Sequence, residues 1–98
     1  MRKISELSSS NNENVELILR LSDVVVKKTS SGEDYASMLG FDGLEKIEAK
    51  IWNFTDELKN ELINGEVYKV VARTKQYQNR TQLNILSIEK VKEEDGIL

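Results

Sequence analysis

The chain has 98 residues, of which 39% are apolar and 32% are charged, and its formal net charge is −3 at pH 7. That length fits one small domain, and that composition is typical of a globular fold rather than of a disordered or membrane-embedded chain. The chain contains no Cys, His or Pro, which excludes disulfide frameworks, zinc fingers, thiol nucleophiles and imidazole bases. We therefore expect a binding module with no catalytic residue, no metal and no cofactor.

Both ends of the chain are polar. Residues 1–13 include a Ser-Ser-Ser-Asn-Asn run and lack the apolar stretch of a signal peptide, and no segment approaches the roughly 18 apolar residues of a transmembrane helix. We predict a flexible N-terminal arm over 1–13, one domain over 14–92 and a flexible acidic tail over 93–98. We expect a cytoplasmic protein with no membrane partner.

The first half of the domain predicts three strands. The segment 15–28 is a long β-rich run, and 35–41 follows a turn that contains Gly32. A third strand over 47–54 follows the Asp-Gly turn at 42–43 and alternates clearly between two faces.

The second half predicts one helix and two strands. The helix over 55–64 has Thr55 as its cap, acidic residues in its first turn and an Asn-Gly stop. Two further strands cover 66–78 and 80–91. This order matches an all-β fold, a five-stranded antiparallel Greek-key barrel with one α-helix between strands 3 and 4, which is the OB-fold. An α+β sandwich and an SH3-like barrel are the alternatives, and the SH3-like barrel has no place for the helix.

Three short motifs of the chain form a pattern seen in one protein family. Ile-Glu-Ala-Lys-Ile-Trp (47–52) precedes the helix, Val-Tyr-Lys-Val (67–70) follows it, and Tyr77 in the last turn precedes Gln-Leu-Asn-Ile (82–85). Over most of the predicted domain, this pattern resembles the N-terminal OB domain of the YhaM-type bacterial 3′-to-5′ exoribonucleases (the CMP-binding-factor family), which is an OB-fold of the tRNA-anticodon-binding type. The segment 36–46 departs from the more regular alternation of that family.

The resemblance implies single-stranded RNA or DNA as a ligand and a catalytic HD domain as a partner in a longer chain. Hydrolysis in that family depends on the His and Asp ligands of the HD domain, and the present chain contains no His. The chain is therefore expected to be either the OB module of a longer exoribonuclease or a free-standing relative, and not an enzyme by itself.

In an OB-fold, the outer surface of strands 2 and 3 and the loops L12 and L45 (between strands 1 and 2 and strands 4 and 5) form the groove for single strands. Binding there needs flat aromatic surfaces for the bases and cations along the phosphates. If Ile47, Ala49 and Ile51 point inward, Lys50 and Trp52 point outward. Trp52 then supplies an aromatic surface for a base, and Lys50 supplies a cation for a phosphate. The alternative is that Trp52 packs under the helix.

The remaining candidates lie on strands 2, 4 and 5. Tyr35 and Tyr77 are candidates for stacking, although Tyr77 also fits a role in closing the last hairpin against the barrel. Residues 66–92 carry six basic and two acidic residues, which indicates phosphate contacts, while ordinary solvated strand faces are the alternative. The complete set of candidate nucleic-acid-binding residues is Tyr35, Lys50, Trp52, Arg73, Lys75, Tyr77, Arg80 and Gln82.

The sequence leaves two functional classes open. The first is a single-stranded nucleic-acid-binding module that serves as the substrate-binding domain of a 3′-to-5′ exoribonuclease, with RNA preferred over DNA because of the resemblance. The alternative is a protein–protein interaction module that docks a partner subunit through its groove or an exposed edge strand. The net negative charge predicts weak, localised nucleic-acid binding.

Overall fold

A computed structural model describes residues 2–91 of the chain and contains the predicted order of elements. The elements are a 3₁₀ helix (Ile4–Leu7), β1 (Asn14–Lys28), β2 (Asp34–Phe41), β3 (Lys46–Ile51), α1 (Asp56–Glu61), β4 (Val67–Tyr77) and β5 (Arg80–Lys90).

The five strands form a closed barrel in the order β1-β2-β3-β5-β4. The strand β1 pairs with β4 over Asn14–Arg20 and with β2 from Arg20 to Lys28, and a bulge after Ser22, with Asp23 at φ 54°, interrupts the pairing with β2. This closed Greek-key barrel with one short helix between β3 and β4 confirms the predicted OB-fold. One detail of the prediction is wrong, because β3 and β5 pair in parallel rather than antiparallel.

Alternation along the strands sends one set of side chains into the barrel. Leu17, Leu19 and Leu21 of β1 are fully buried, and so are Val70 and Ala72 of β4. Because successive side chains of a strand point to opposite faces, the neighbours of these residues are left on the outside of the barrel. The interior is thus a single apolar core, and its outer surface is where function has to be sought.

The helix α1 follows β3 and begins where the sequence predicts. The Thr55 Oγ1 accepts a hydrogen bond from the Leu58 N–H at 3.3 Å, which satisfies one free donor of the first turn. The helix is shorter than predicted, because the hydroxyl of the buried Tyr68 donates to the Glu61 carbonyl at 2.8 Å and accepts from the Ile63 N–H at 2.7 Å. These two bonds replace a further helical turn.

The N-terminal residues pack against the barrel in the segment for which the sequence predicts a flexible arm over 1–13. Leu7 is fully buried and Ile4 nearly so, and together they cover one end of the core. The Ile4 N–H donates to the Asp42 carboxylate at 3.0 Å, and the buried hydroxyls of Ser10 and Thr74 lie 2.9 Å apart. Two apolar side chains and these long-range hydrogen bonds connect the polar stretch to the barrel. The predicted acidic tail over 93–98 lies outside the described residues.

Across residues 2–91, no helix has both the length and the apolar character needed to cross a lipid bilayer. The α-helix of this region, Asp56–Glu61, has only six residues and begins with two acidic ones.

Candidate functional site

The outward side chains of β2, β3, β5 and β4 form one continuous surface, which we call the outer face. The strand registers set two of its rows. Ser37, Lys50, Asn84 and Arg73 lie side by side in one row across the four strands. The next row contains Leu39, Glu48, Gln82 and Lys75 in the same order. Candidate residues that are far apart in the sequence therefore meet on this surface.

An aromatic pair stands at one end of the outer face. Ser37 pairs with Lys50 and Ala36 with Ile51, so the same register brings Tyr35 opposite Trp52. The two rings are stacked, with centroids 4.8 Å apart and planes inclined by 29°. Trp52 retains 43% of its accessible surface, so it lies outward rather than beneath the helix.

Two polar neighbours fix the orientation of the indole. The Trp52 Nε1–H donates to the Asn84 Oδ1 on β5 at 2.9 Å. The Lys50 Nζ lies 5.2 Å from the centroid of the Trp52 ring, which is within range of a cation–π interaction. The buried Ile47, Ala49 and Ile51 confirm the predicted strand parity that turns Lys50 and Trp52 outward. The result is a flat, partly exposed aromatic surface with a positive charge beside it.

A carboxylate occupies the middle of the outer face and was missed in the choice of candidates. The Glu48 Oε2 accepts from the Gln82 Nε2 at 2.9 Å, and its Oε1 lies 3.5 Å from the Arg80 Nη1. The structure thus brings the candidates Arg80 and Gln82 together around one acidic group. Strand parity alone places Glu48 on the same face as Lys50, so the sequence carried a signal for it.

The basic residues of β4 extend the outer face beyond β5. Arg73 lies beside Asn84 and Lys75 beside Gln82, and both basic side chains are exposed. Among residues 2–91, the ion pairs include neither Arg73 nor Lys75. Their charges are therefore available to an anionic ligand.

Tyr77 stands apart from the other aromatic candidates. It is 56% exposed beside the tip of the β4–β5 hairpin, where Gln78 and Asn79 both adopt positive φ angles, as a tight hairpin turn requires. Its partner Arg80 lies four residues along β5 from Asn84, which corresponds to about 13 Å at the strand rise of about 3.3 Å per residue. Tyr77 and the Tyr35–Trp52 pair therefore cannot stack on the same base.

An ion-pair cluster lies next to loop L12, and the sequence does not predict it. The Asp34 carboxylate accepts from the Lys28 Nζ at 2.8 Å and from the Lys59 Nζ of α1 at 2.7 Å. The hydrogen bond from Lys28, followed by that from Lys59, lowers the pKa of Asp34 from its ordinary value of 3.8 to about 2. The hydrogen bond that Lys59 donates to Asp34 raises the pKa of Lys59. The cluster ties the start of β2 to the helix and has no local sequence signal.

Within the described part of the chain, no three His, Cys, Asp or Glu side chains are grouped in a way that would hold a metal ion.

Comparisons with known proteins agree with this architecture. No family model matches the chain. Over 60 residues, which are 61% of the chain, it is 33% identical to the 3′-5′ exoribonuclease YhaM of Oceanobacillus iheyensis. The match spans only 19% of the length of that protein.

Two solved structures have similar backbones. The second OB-fold domain of replication protein A from Methanococcus maripaludis gives a TM-score of 0.68 at 18% identity, over 94% of this chain and 95% of that one. The protein PriB from Ralstonia solanacearum gives 0.64 at 16% identity, over 79% of this chain and 95% of that one. At such low identity these two likenesses establish the fold only. The chain is an OB-fold domain that is similar in sequence to part of YhaM exoribonuclease.

Proposed function

We propose that the chain is a single-stranded nucleic-acid-binding module that holds its ligand, preferentially RNA, on the outer face. The observation that supports this most strongly is the stacked Tyr35–Trp52 pair, which lies open on the barrel with Lys50 beside the indole. Bases are ligands that match a flat aromatic surface with an adjacent cation.

The stacking step uses the exposed part of the Trp52 ring. Its hydrogen bond to Asn84 and its contact with Tyr35 hold the indole in one orientation before the ligand arrives. Little side-chain entropy is therefore lost on binding. A stacked base contributes about 1–3 kcal/mol by alanine substitution.

The phosphates contact the basic side chains that flank the aromatic pair. Lys50, Arg73 and Lys75 lie on the same outer face and present three positive charges. Neutralising about three phosphates of a single strand gives a log–log salt slope of about −2. With one or two stacked bases in addition, we expect a dissociation constant in roughly the micromolar range or weaker.

Weak binding suits a module that is linked to a catalytic unit. The similarity to a protein named as a 3′-5′ exoribonuclease supports RNA as the ligand and supports a role in holding substrate for a hydrolytic HD domain. A linker raises the effective concentration of the second site, so even a weak module improves retention of the substrate. The chain contains no His or Cys, so we assign it the holding role and not the hydrolysis.

Docking of another protein chain is the second candidate function, and the edge of β1 supports it. The strand β4 pairs with β1 only over Asn14–Arg20, so within residues 2–91 the opposite edge of the segment 24–28 carries no strand. Val25 and Val26 on this segment are about half exposed. An open edge with apolar side chains is a surface to which an extended segment can add. The simplest version of this hypothesis is that two copies of the chain pair along this edge. Sedimentation velocity tests it, and a monomer at all concentrations would contradict it.

The test of the proposed function is the affinity of a fluorescein-labelled oligouridine, measured by anisotropy at low salt. Trp52→Ala should weaken binding by about 1–3 kcal/mol. The control is Phe41→Ala, which removes another exposed aromatic of β2 about 20 Å from Tyr35 at the usual strand rise. Equal affinities of the two variants, or no binding by the parent chain, would contradict the proposal.

A further inference from the structure

A cleft of about 500 Å³ opens where the N-terminal 3₁₀ helix meets β3 and the start of β5. This volume lies within the range of about 300–1,000 Å³ that small-molecule sites occupy. Ile4 and Leu39 contribute apolar walls, and Glu48, Arg80 and Lys46 contribute charged groups. The cleft is separate from the Tyr35–Trp52 pair, since Glu48 and Trp52 are about 13 Å apart along the chain direction of β3.

Glu48 is an unexpected residue for a surface that binds phosphates. The other charged side chains of the two rows across the outer face are the basic Lys50, Arg73 and Lys75. A carboxylate among them repels phosphate groups, which lowers the affinity for any polyanion. The same carboxylate becomes favourable if it accepts hydrogen bonds from the edge of a base, because such bonds are charge-assisted.

The groups around Glu48 define a pattern of donors and acceptors. Its Oε2 is held by the Gln82 Nε2 at 2.9 Å, while the partner of its Oε1 among residues 2–91 is the exposed Arg80 guanidinium at 3.5 Å. An exposed pair at this distance contributes little and is readily exchanged. The cleft therefore offers the Glu48 carboxylate oxygens as acceptors and, next to them, the Arg80 guanidinium as a donor.

We propose that this cleft is a base-selective subsite that takes a guanine of the bound single strand; the inference rests on the proposed function. The Watson–Crick edge of guanine carries two adjacent donors, N1–H and the 2-amino group, and next to them the O6 acceptor. Glu48 accepts from the two donors, and Arg80 donates to O6. Uracil presents one donor between two acceptors, and adenine and cytosine each present a single amino donor, so none of them matches two acceptors and a donor in this order.

The walls of the cleft fit this assignment. The half-buried Leu39 of β2 lines it, and the nearly buried Ile4 of the N-terminal 3₁₀ helix adds a small apolar contribution. This apolar surface suits the face of a ring, and the charged groups of β3 and β5 suit its edge. The N-terminal segment, through its packing on the barrel, thereby becomes one wall of a binding site.

The experiment compares three labelled RNA nonamers by anisotropy: one of uridines only, one with a single central guanosine, and one with a single central inosine. Inosine keeps N1–H and O6 but lacks the 2-amino group. The parent chain should bind the guanosine RNA about five- to tenfold more tightly than the uridine RNA, with the inosine RNA in between. Glu48→Gln should reduce the guanosine preference to less than about twofold.

The control variant is Glu16→Gln, which removes the same charge from an exposed position of β1 outside the cleft and should retain the preference. Thermal melts show whether both variants remain folded, as expected for exposed positions. The inference is overturned if the parent binds all three RNAs equally, or if Glu48→Gln strengthens binding of all three to the same extent and keeps their order. Binding without preference refutes only this subsite, whereas absence of binding to any RNA refutes the proposed function and this inference with it.

Discussion

Replacement of Leu7 by Ala tests whether the N-terminal segment belongs to the folded domain. Leu7 is 0% exposed, and its truncation removes three carbons from the core. At about 0.8 kcal/mol for each buried carbon group, the transfer contribution is roughly 2.4 kcal/mol, and the cavity that remains adds to it. The loss cannot exceed the free energy with which the segment docks, because the segment can detach instead. We therefore expect a loss of about 2–3 kcal/mol.

The assay is urea unfolding followed by circular dichroism. A loss of this size is a large part of the roughly 5–10 kcal/mol expected for a domain of this length, and it lowers Tm by about 4–8 °C for each kcal/mol. Leu44→Ala is the matched control, because Leu44 is 78% exposed and its truncation should change stability by less than about 0.5 kcal/mol. If the free energy of unfolding of Leu7→Ala is as close to that of the parent chain as the control's is, the N-terminal segment is not docked on the barrel.

Two further predictions concern charged side chains. Lys75→Gln should weaken oligonucleotide binding equally for all sequences and make the salt slope shallower by about 0.7, whereas Lys69→Gln, on the same strand but beside Glu89, should leave both unchanged. A sequence-dependent effect of Lys75→Gln would argue against a phosphate contact. Asp34 has a folded pKa of about 2, below its ordinary value of 3.8, so its contribution to stability is present above about pH 4 and is lost as the pH falls towards 2. Asp34→Asn should therefore destabilise the domain at pH 7 but not near pH 2 in urea unfolding, and an equal effect at both pH values would contradict this.

The barrel could be predicted because its local signals agree. The alternation of Ile47, Ala49 and Ile51 fixes the buried face of β3, and the Thr55 cap fixes the start of the helix. Few known architectures combine five strands with one helix between strands 3 and 4. The similar solved structures confirm the fold.

The order of the N-terminal segment could not be predicted, because its stabilising contacts are remote in sequence. Ile4 bonds to Asp42, and Ser10 contacts Thr74. The local sequence shows only two apolar residues in a polar stretch, and a frayed chain end has the same pattern. The parallel pairing of β3 with β5 is a long-range feature of the same kind, since it depends on how the chain closes the barrel.

The site was predictable in part. Strand parity shows that Lys50 and Trp52 share an outward face, but the stacking of Trp52 on Tyr35 depends on the register between β2 and β3. Register is set by turns and packing across strands and is weakly encoded in either strand alone. Parity also places Glu48 on this face, but a carboxylate repels phosphates, so a pattern of stacking and phosphate contacts does not point to it.

The most direct test of the account is a titration of the intrinsic fluorescence of Trp52, the single Trp of the chain, with unlabelled oligouridine at low salt. We predict saturable quenching with the same dissociation constant as that measured by anisotropy, because the base stacks on the exposed indole. Binding that leaves the fluorescence of Trp52 unchanged would contradict the central claim that the Tyr35–Trp52 pair is the stacking surface.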